Sequence, residues 1–321
     1  MASSRITTVL KLAVLCGLAV YLFRGVDLES VGRSLGRVPS RIFAAGLLLT
    51  LISLSLQAVR WRLLMHRPSI SLKECQAFVG LGASMSLVSP SSVISDGAIS
   101  YWMGKRNADV LGAMSTFFAA RLIGSLSGAV LFLATLASHL WVFERLPLAW
   151  SPGKAAFAGA ALLLVLAALL AARRHRKRLA DLRRHALPAL KHPGSLALAL
   201  LLSVGVQVVQ FTVYFLGFRA VGAPLALLDV FFFAPLIVFM TMLPISIGGI
   251  GVRETMAIFF YTLIPGVTKE MVLAQAGYNY LILFGAAAVN LAFAAVVLGL
   301  PWRARRKVPA RVPTPPGARA A

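Results

Sequence analysis

The sequence predicts an all-α polytopic membrane protein of about seven to eight helices, two of them broken re-entrant hairpins. Three observations lead there. The 321-residue chain is 59% apolar and only 13% charged, with a mean hydropathy of +0.84. Soluble domains run roughly 45–50% apolar and about 25% charged. Apolar runs of about twenty residues, enough to cross a bilayer, alternate with short basic segments. Two further apolar runs stop at turns rich in Pro, Gly and Ser and then resume.

Taken in order, Ile6–Phe23 is the first run, flanked by Arg5 and Arg24. Its exit has no small-x-small cleavage pattern, so it reads as an uncleaved span rather than a signal peptide. Residues 27–41 place Leu28, Val31, Leu35 and Val38 at helical spacing, which predicts a short interfacial helix. Ile42–Val59 is the next span, with Arg60-Trp61-Arg62 read as an interface anchor. Residues 76–104 form the first hairpin, broken around Pro90, Ser91 and Ser92. Residues 110–138 cross with Arg121 at mid-run and a small-xxx-small pair, Gly124 and Gly128. Ala155–Ala172 and Ser195–Phe218 are further spans. The second hairpin covers 227–265 and turns at Pro244–Gly251, and Met271–Leu300 is the last span. Residues 1–300 read as one integral membrane domain, and 301–321 as a basic, disordered cytoplasmic tail.

The basic residues fix the expected orientation. Residues 173–192 carry eight Lys/Arg, the 139–154 loop carries two, and the tail carries six. Positive charge is retained on the cytoplasmic side, so both termini are expected inside. The two hairpins then enter from opposite faces. Pro90–Gly97 also aligns without gaps on Pro244–Gly251, which suggests an inverted repeat; chance likeness of two turns is the alternative.

Charges at membrane depth cost roughly 2.5–3.5 kcal/mol each on insertion scales and so mark function. The candidates are Asp96, Arg121, Arg253 and Glu254. Arg121 needs an anion; Asp96 is one partner and a lipid phosphate another. Gly248, Gly249 and Gly251 open the backbone before Arg253, where the N–H groups of a half-helix favour an anion. The alternative is an ordinary tight turn with an Arg253–Glu254 pair. Gln207, Gln210, Gln275, Tyr278, Asn279, Tyr280 and Asn290 either line a polar path or bond helix to helix. The formal charge of +22 sits between apolar runs, which points to anionic lipid and not to nucleic acid. No His/Cys/Asp/Glu set has metal-ligand spacing, Cys16 and Cys75 included, and no nucleophile or phosphate-loop motif occurs. No metal, cofactor or catalytic residue is expected.

Four segments, Arg60-Trp61-Arg62-Leu63-Leu64, Pro90-Ser91-Ser92 with Asp96, Arg121-Leu122-Ile123-Gly124 and Leu243–Glu254, occur in an order that resembles the lysylphosphatidylglycerol synthase transmembrane, flippase-like family. The resemblance covers about residues 5–300. It implies re-entrant helices, a bacterial inner-membrane location and the handling of polar lipids between leaflets. It adds Ser92 to the expected lipid- or anion-binding set of Asp96, Arg121, Gly248, Gly249, Gly251, Arg253 and Glu254. A soluble synthase domain is not expected after the short tail. The family's glycine pair is Ile94-Ser95 here, a later Arg is Ile99, and an acid is Ala120. A lysyl-lipid substrate is thereby not implied; a branch tied to hopanoid biosynthesis offers another.

The leading expectation is a flippase-like protein, not an enzyme, whose partner is a membrane phospholipid or other polar lipid. The alternatives are a head-group enzyme, for which only Asp96 and Glu254 could serve, and a non-catalytic subunit of a lipid or hopanoid synthesis system. The topology has a direct check. A cysteine placed at Ser151 should react with an impermeant reagent from outside, and one at Ala180 should not; the opposite labelling would overturn the orientation.

Overall fold

The computed structural model describes residues 26–65, 70–89, 92–107, 109–142, 193–241 and 251–299. The expected spans at 6–23 and 155–172, the basic loop, the tail, and Gly248 and Gly249 lie outside the described residues, as does the side chain of Ser92. Every described element is helical, as the sequence predicts. The nine α-helices among the described residues are α1 (Leu28–Gly36), α2 (Ser40–Leu64), α3 (Leu72–Ser86), α4 (Ser92–Arg106), α5 (Val110–Leu136), α6 (Pro193–Ala220), α7 (Leu227–Thr241), α8 (Val252–Tyr261) and α9 (Lys269–Val297). A single 3₁₀ turn, Ala137–His139, extends α5.

Local chemistry sets the boundaries. Asp27 caps α1 by accepting from the N–H groups of Glu29 and Ser30. Ser71 and Glu74 cap α3 reciprocally. Asp109 accepts from the Gly112 N–H at the start of α5. Helix α8 begins at Gly251, whose φ of 86° suits glycine best, and Glu254 reaches back to accept from the Gly251 N–H at 2.6 Å.

Lengths follow a pattern. Helices α2, α5, α6 and α9 are long and apolar enough to cross a bilayer. Helices α3, α4 and α7 have 15 residues and α8 has 10. At 1.5 Å per residue these rise about 22 Å and about 15 Å, short of a ~30 Å hydrocarbon core. Both hairpins are thus pairs of packed half-helices, α3 with α4 and α7 with α8.

The order long–short–short–long occurs twice, in α2–α5 and in α6–α9. Packing respects the exchange of the two quartets. Helix α3 lies on α9 as α7 lies on α5, α4 on α5 as α8 on α9, and α2 on α9 as α6 on α5. Helices α2 and α6 pack on each other, with Leu56 near Gly205 and Arg60 at Ser203, so they run antiparallel. This is the arrangement of an inverted repeat. The expected equivalence of Pro90–Gly97 with Pro244–Gly251 is corrected in detail. Gly97 lies inside α4, whereas Gly251 is the residue before α8. The quartets correspond, but those turn residues do not hold the same places.

The expected boundary of the second span is also corrected. Helix α2 continues to Leu64, and Arg60 and Trp61 are only 7% and 6% exposed. They are interior groups rather than an interface anchor, because α6 and α3 pack on α2 and Ser203 of α6 and Gly124 of α5 lie against Arg60.

Close approach of α2 to α9 depends on Gly46. A Cβ there would collide with the hydroxyl of Tyr278, which is fully buried and donates to the Ile42 carbonyl at 3.1 Å. Gly46→Ala should therefore lower stability by about 1–3 kcal/mol in a detergent melt. Adding Tyr278→Phe should recover part of the loss, since the hydroxyl is the nearest obstacle. A Gly46→Ala protein that melts like wild type would refute the contact.

Candidate lipid-binding site

Two polar stripes face each other across the α2–α6 contact. On α2 they are Ser53, Gln57 and Arg60; on α6, Ser203, Gln207 and Gln210. Spacings of four and three put each set on one helix face. The Arg60 guanidinium donates from Nη1 to the Ser203 hydroxyl at 2.8 Å. Ser203 lies ten residues into α6, about 15 Å from its start, so the charge sits at membrane depth.

Gln57 and Arg60 of α2 and Gln207 and Gln210 of α6 line a cavity of about 300 Å³ that α3, α4, α5, α7 and α9 complete. Its ionic groups are Arg60, Asp96 and Arg121. Arg121, the twelfth residue of α5, binds Asp96 of α4 through Nη2 at 2.5 Å. The sequence-expected partners are thus brought together, each side chain about a quarter exposed toward the cavity. The Arg121 guanidinium also lies 5.8 Å from the Phe117 ring. Among the described residues no carboxylate lies within ion-pair distance of Arg60, and its Nε has no hydrogen-bond partner. Gln207 donates to the Gly124 carbonyl at 3.3 Å while its Oε1 is unpaired; the Asn290 amide nitrogen is unpaired too. Gly124 makes room for Arg60, since a Cβ there would be 3.4 Å from its Nη1.

An apolar groove of about 180 Å³ adjoins the cavity and shares Gly124, Ser125, Gln207 and Val238 with it. Helices α5 and α7 form its walls through Gly128, Phe132, Pro235 and Phe239.

Arg253 and Glu254 are elsewhere. Glu254 is 6% exposed and accepts from the Tyr280 hydroxyl at 2.8 Å as well as from the Gly251 N–H. The Arg253 Nε is 3.4 Å from the Glu254 carboxylate, its Nη2 donates to Tyr280 at 3.1 Å, and its guanidinium lies 5.1 Å from that ring. Tyr280 is the twelfth residue of α9, as Arg121 is of α5. In both halves, then, the acid on the second half-helix is held by the same place on the following long helix. The two clusters are separate, since Arg253 and Glu254 do not line the cavity. Tyr280 is ten residues from Asn290, about 15 Å along α9.

The sequence reading missed Arg60 as a site residue. The available signal was internal: Ser53–Arg60 and Ser203–Gln210 share Ser, Gln and Val at the first, fifth and seventh positions, with Gln210 in place of Arg60. It also missed His139, which is buried at the end of α5, stacks on Phe232 at 4.5 Å and bonds Asp229 at the start of α7 at 3.0 Å. Nothing local in the sequence pairs residues 90 apart. No group of three or more His, Cys, Asp or Glu forms a possible metal site among the described residues.

The chain matches the family model described as lysylphosphatidylglycerol synthase TM region over residues 8–277. It belongs to that family. The protein is accordingly a multi-pass membrane protein related to lipid handling. No curated protein and no solved structure matches the chain.

The half-buried pair admits a cycle test. Removing one partner of a fully buried ion pair strands the other charge and costs roughly 3–5 kcal/mol, an upper bound for this pair with its quarter exposure. Arg121→Leu should be strongly destabilising alone and less so combined with Asp96→Asn. A double variant that melts no higher than Arg121→Leu would show that the pair contributes nothing.

Proposed function

We propose that the protein binds a polar lipid with its headgroup in the α2–α6 cavity and moves it between leaflets, as a flippase-like carrier of the bacterial inner membrane. One observation carries the reading: a cavity at membrane depth that holds two guanidinium groups adjoins an apolar groove and shares four lining residues with it. An amphiphile is the class of molecule that satisfies both at once. A soluble ion would leave the groove unexplained, and a hydrocarbon would leave Arg60 unpaired.

Arg121 and Arg60 offer forks that hold two phosphate oxygens each. The inverted repeat supports carriage, because exchange of the two halves exposes one central site to either side. Arg253, beside Gly251 at the start of α8, is the proposed second station, in the opposite half. The enzymatic alternative is disfavoured by the partners of the two available acids. Asp96 is engaged by Arg121, and Glu254 by Gly251, Tyr280 and Arg253.

Reconstitution tests this. Vesicles containing the protein and a head-labelled phospholipid should exchange label between leaflets without chemical change to the lipid. Arg60→Ala should slow exchange at least tenfold while leaving the detergent melt near wild type. Arg253→Ala should slow it as well. Exchange at the protein-free rate refutes transport, and a chemically altered lipid would favour the enzyme.

A further inference from the structure

The cavity has an electrical sign that neither the family nor the repeat specifies. It holds two guanidinium groups, on Arg60 and Arg121, and one carboxylate, on Asp96. Asp96 is bound to Arg121 and lies in the field of Arg60 as well, so the three groups together carry one surplus positive charge. The remaining polar groups nearby are neutral carboxamides and hydroxyls, Gln57, Gln207, Gln210 and Asn290 among them.

The shortage of acids is chain-wide. The sequence has ten acidic residues. Glu74, Asp229 and Glu254 are held by Arg106, His139 and Arg253, and Asp109 caps α5. Among the described residues only Asp96 faces the cavity. At the wall positions Ile99 and Ala120 the side chains are apolar. The second cluster differs, for there Arg253 is matched by Glu254. The two halves share a scaffold but not a charge: Arg60 in the first stripe is Gln210 in the second.

We infer that the cavity selects a lipid with a net-anionic phosphodiester headgroup and rejects a cationic, aminoacylated one. This rests on the lipid-binding reading above. A phosphodiester balances that surplus charge, and its free oxygens accept from guanidinium N–H groups of the cavity wall. A headgroup ammonium would meet an unpaired guanidinium instead, with no free carboxylate to receive it. In a site of low effective dielectric such a repulsion is strong enough to set specificity.

The test compares two lipids that differ only in the head: phosphatidylglycerol and its lysyl ester, titrated into the purified full chain in neutral-lipid nanodiscs. Wild type should bind phosphatidylglycerol about tenfold more tightly than the lysyl ester. Arg60→Gln removes the cation, and Asn290→Asp adds an isosteric carboxylate. Both should bring the ratio toward one, by independent routes, with thermal melts as the folding control. If Asn290→Asp does not fold, Gln207→Glu adds the charge on another helix. Equal binding of both lipids by wild type, or a preference for the lysyl ester, overturns the charge selection while leaving lipid binding intact. An unchanged ratio in folded charge variants also overturns it. Binding of neither lipid would instead remove the lipid-binding reading on which it stands.

Discussion

Two chain breaks inside an apolar slab must be covered by protein, and the rest of the fold answers that requirement. Backbone groups freed at the ends of α3, α4, α7 and α8 cannot be left facing hydrocarbon, where each costs several kcal/mol. The long helices supply the cover. Helix α9 lies against α3 and α5 against α7, so each quartet's closing helix shields the other quartet's hairpin. Each half also covers part of its own hairpin, α5 lying on α4 and α9 on α8, and the crossed contacts tie the two repeats into one body. The same requirement explains the acids on the second half-helices. Asp96 fastens α4 to α5 through Arg121, and Glu254 fastens α8 to α9 through Tyr280 while satisfying the Gly251 N–H.

That architecture makes the centre polar without exposing it to lipid. The α2 and α6 stripes sit where the two halves meet, and small residues let the helices approach. Gly124 gives space to Arg60, and Gly128 to Gln207 and Pro235. The small-xxx-small pair, read from the sequence as a helix-contact device, also shapes the boundary between cavity and groove. A Cβ at Gly128 would meet only ordinary contacts, so its small size keeps the groove open more than it relieves a clash.

The repeat is symmetric in scaffold and asymmetric in chemistry. Both halves place an acid on the second half-helix and a partner at the twelfth residue of the next long helix. The partner is a guanidinium in one half and a phenol in the other. The first cluster lines the cavity with a surplus positive charge. In the second, Arg253, Glu254 and Tyr280 contact one another and the cation is matched by an acid.

The sequence by itself determined the class of the protein, its helical content, the two broken helices and the intramembrane charges. These follow from composition and apolar run length, because the bilayer imposes a length and a polarity on every segment that enters it. The Asp96–Arg121 pair was legible for the same reason: a lone charge at depth requires a partner, and few candidates existed. Tertiary structure alone decided which charges share a cavity. Arg60 read as an interface anchor because it follows an apolar run, and only the packing of α6, α3 and α5 against α2 buries it. The separation of Arg253 and Glu254 from Asp96 and Arg121, and the His139–Asp229 contact, likewise depend on which helices become neighbours. Run length and local spacing carry no record of that choice, since every long apolar helix meets the bilayer in the same way and differs only in the partner it packs against.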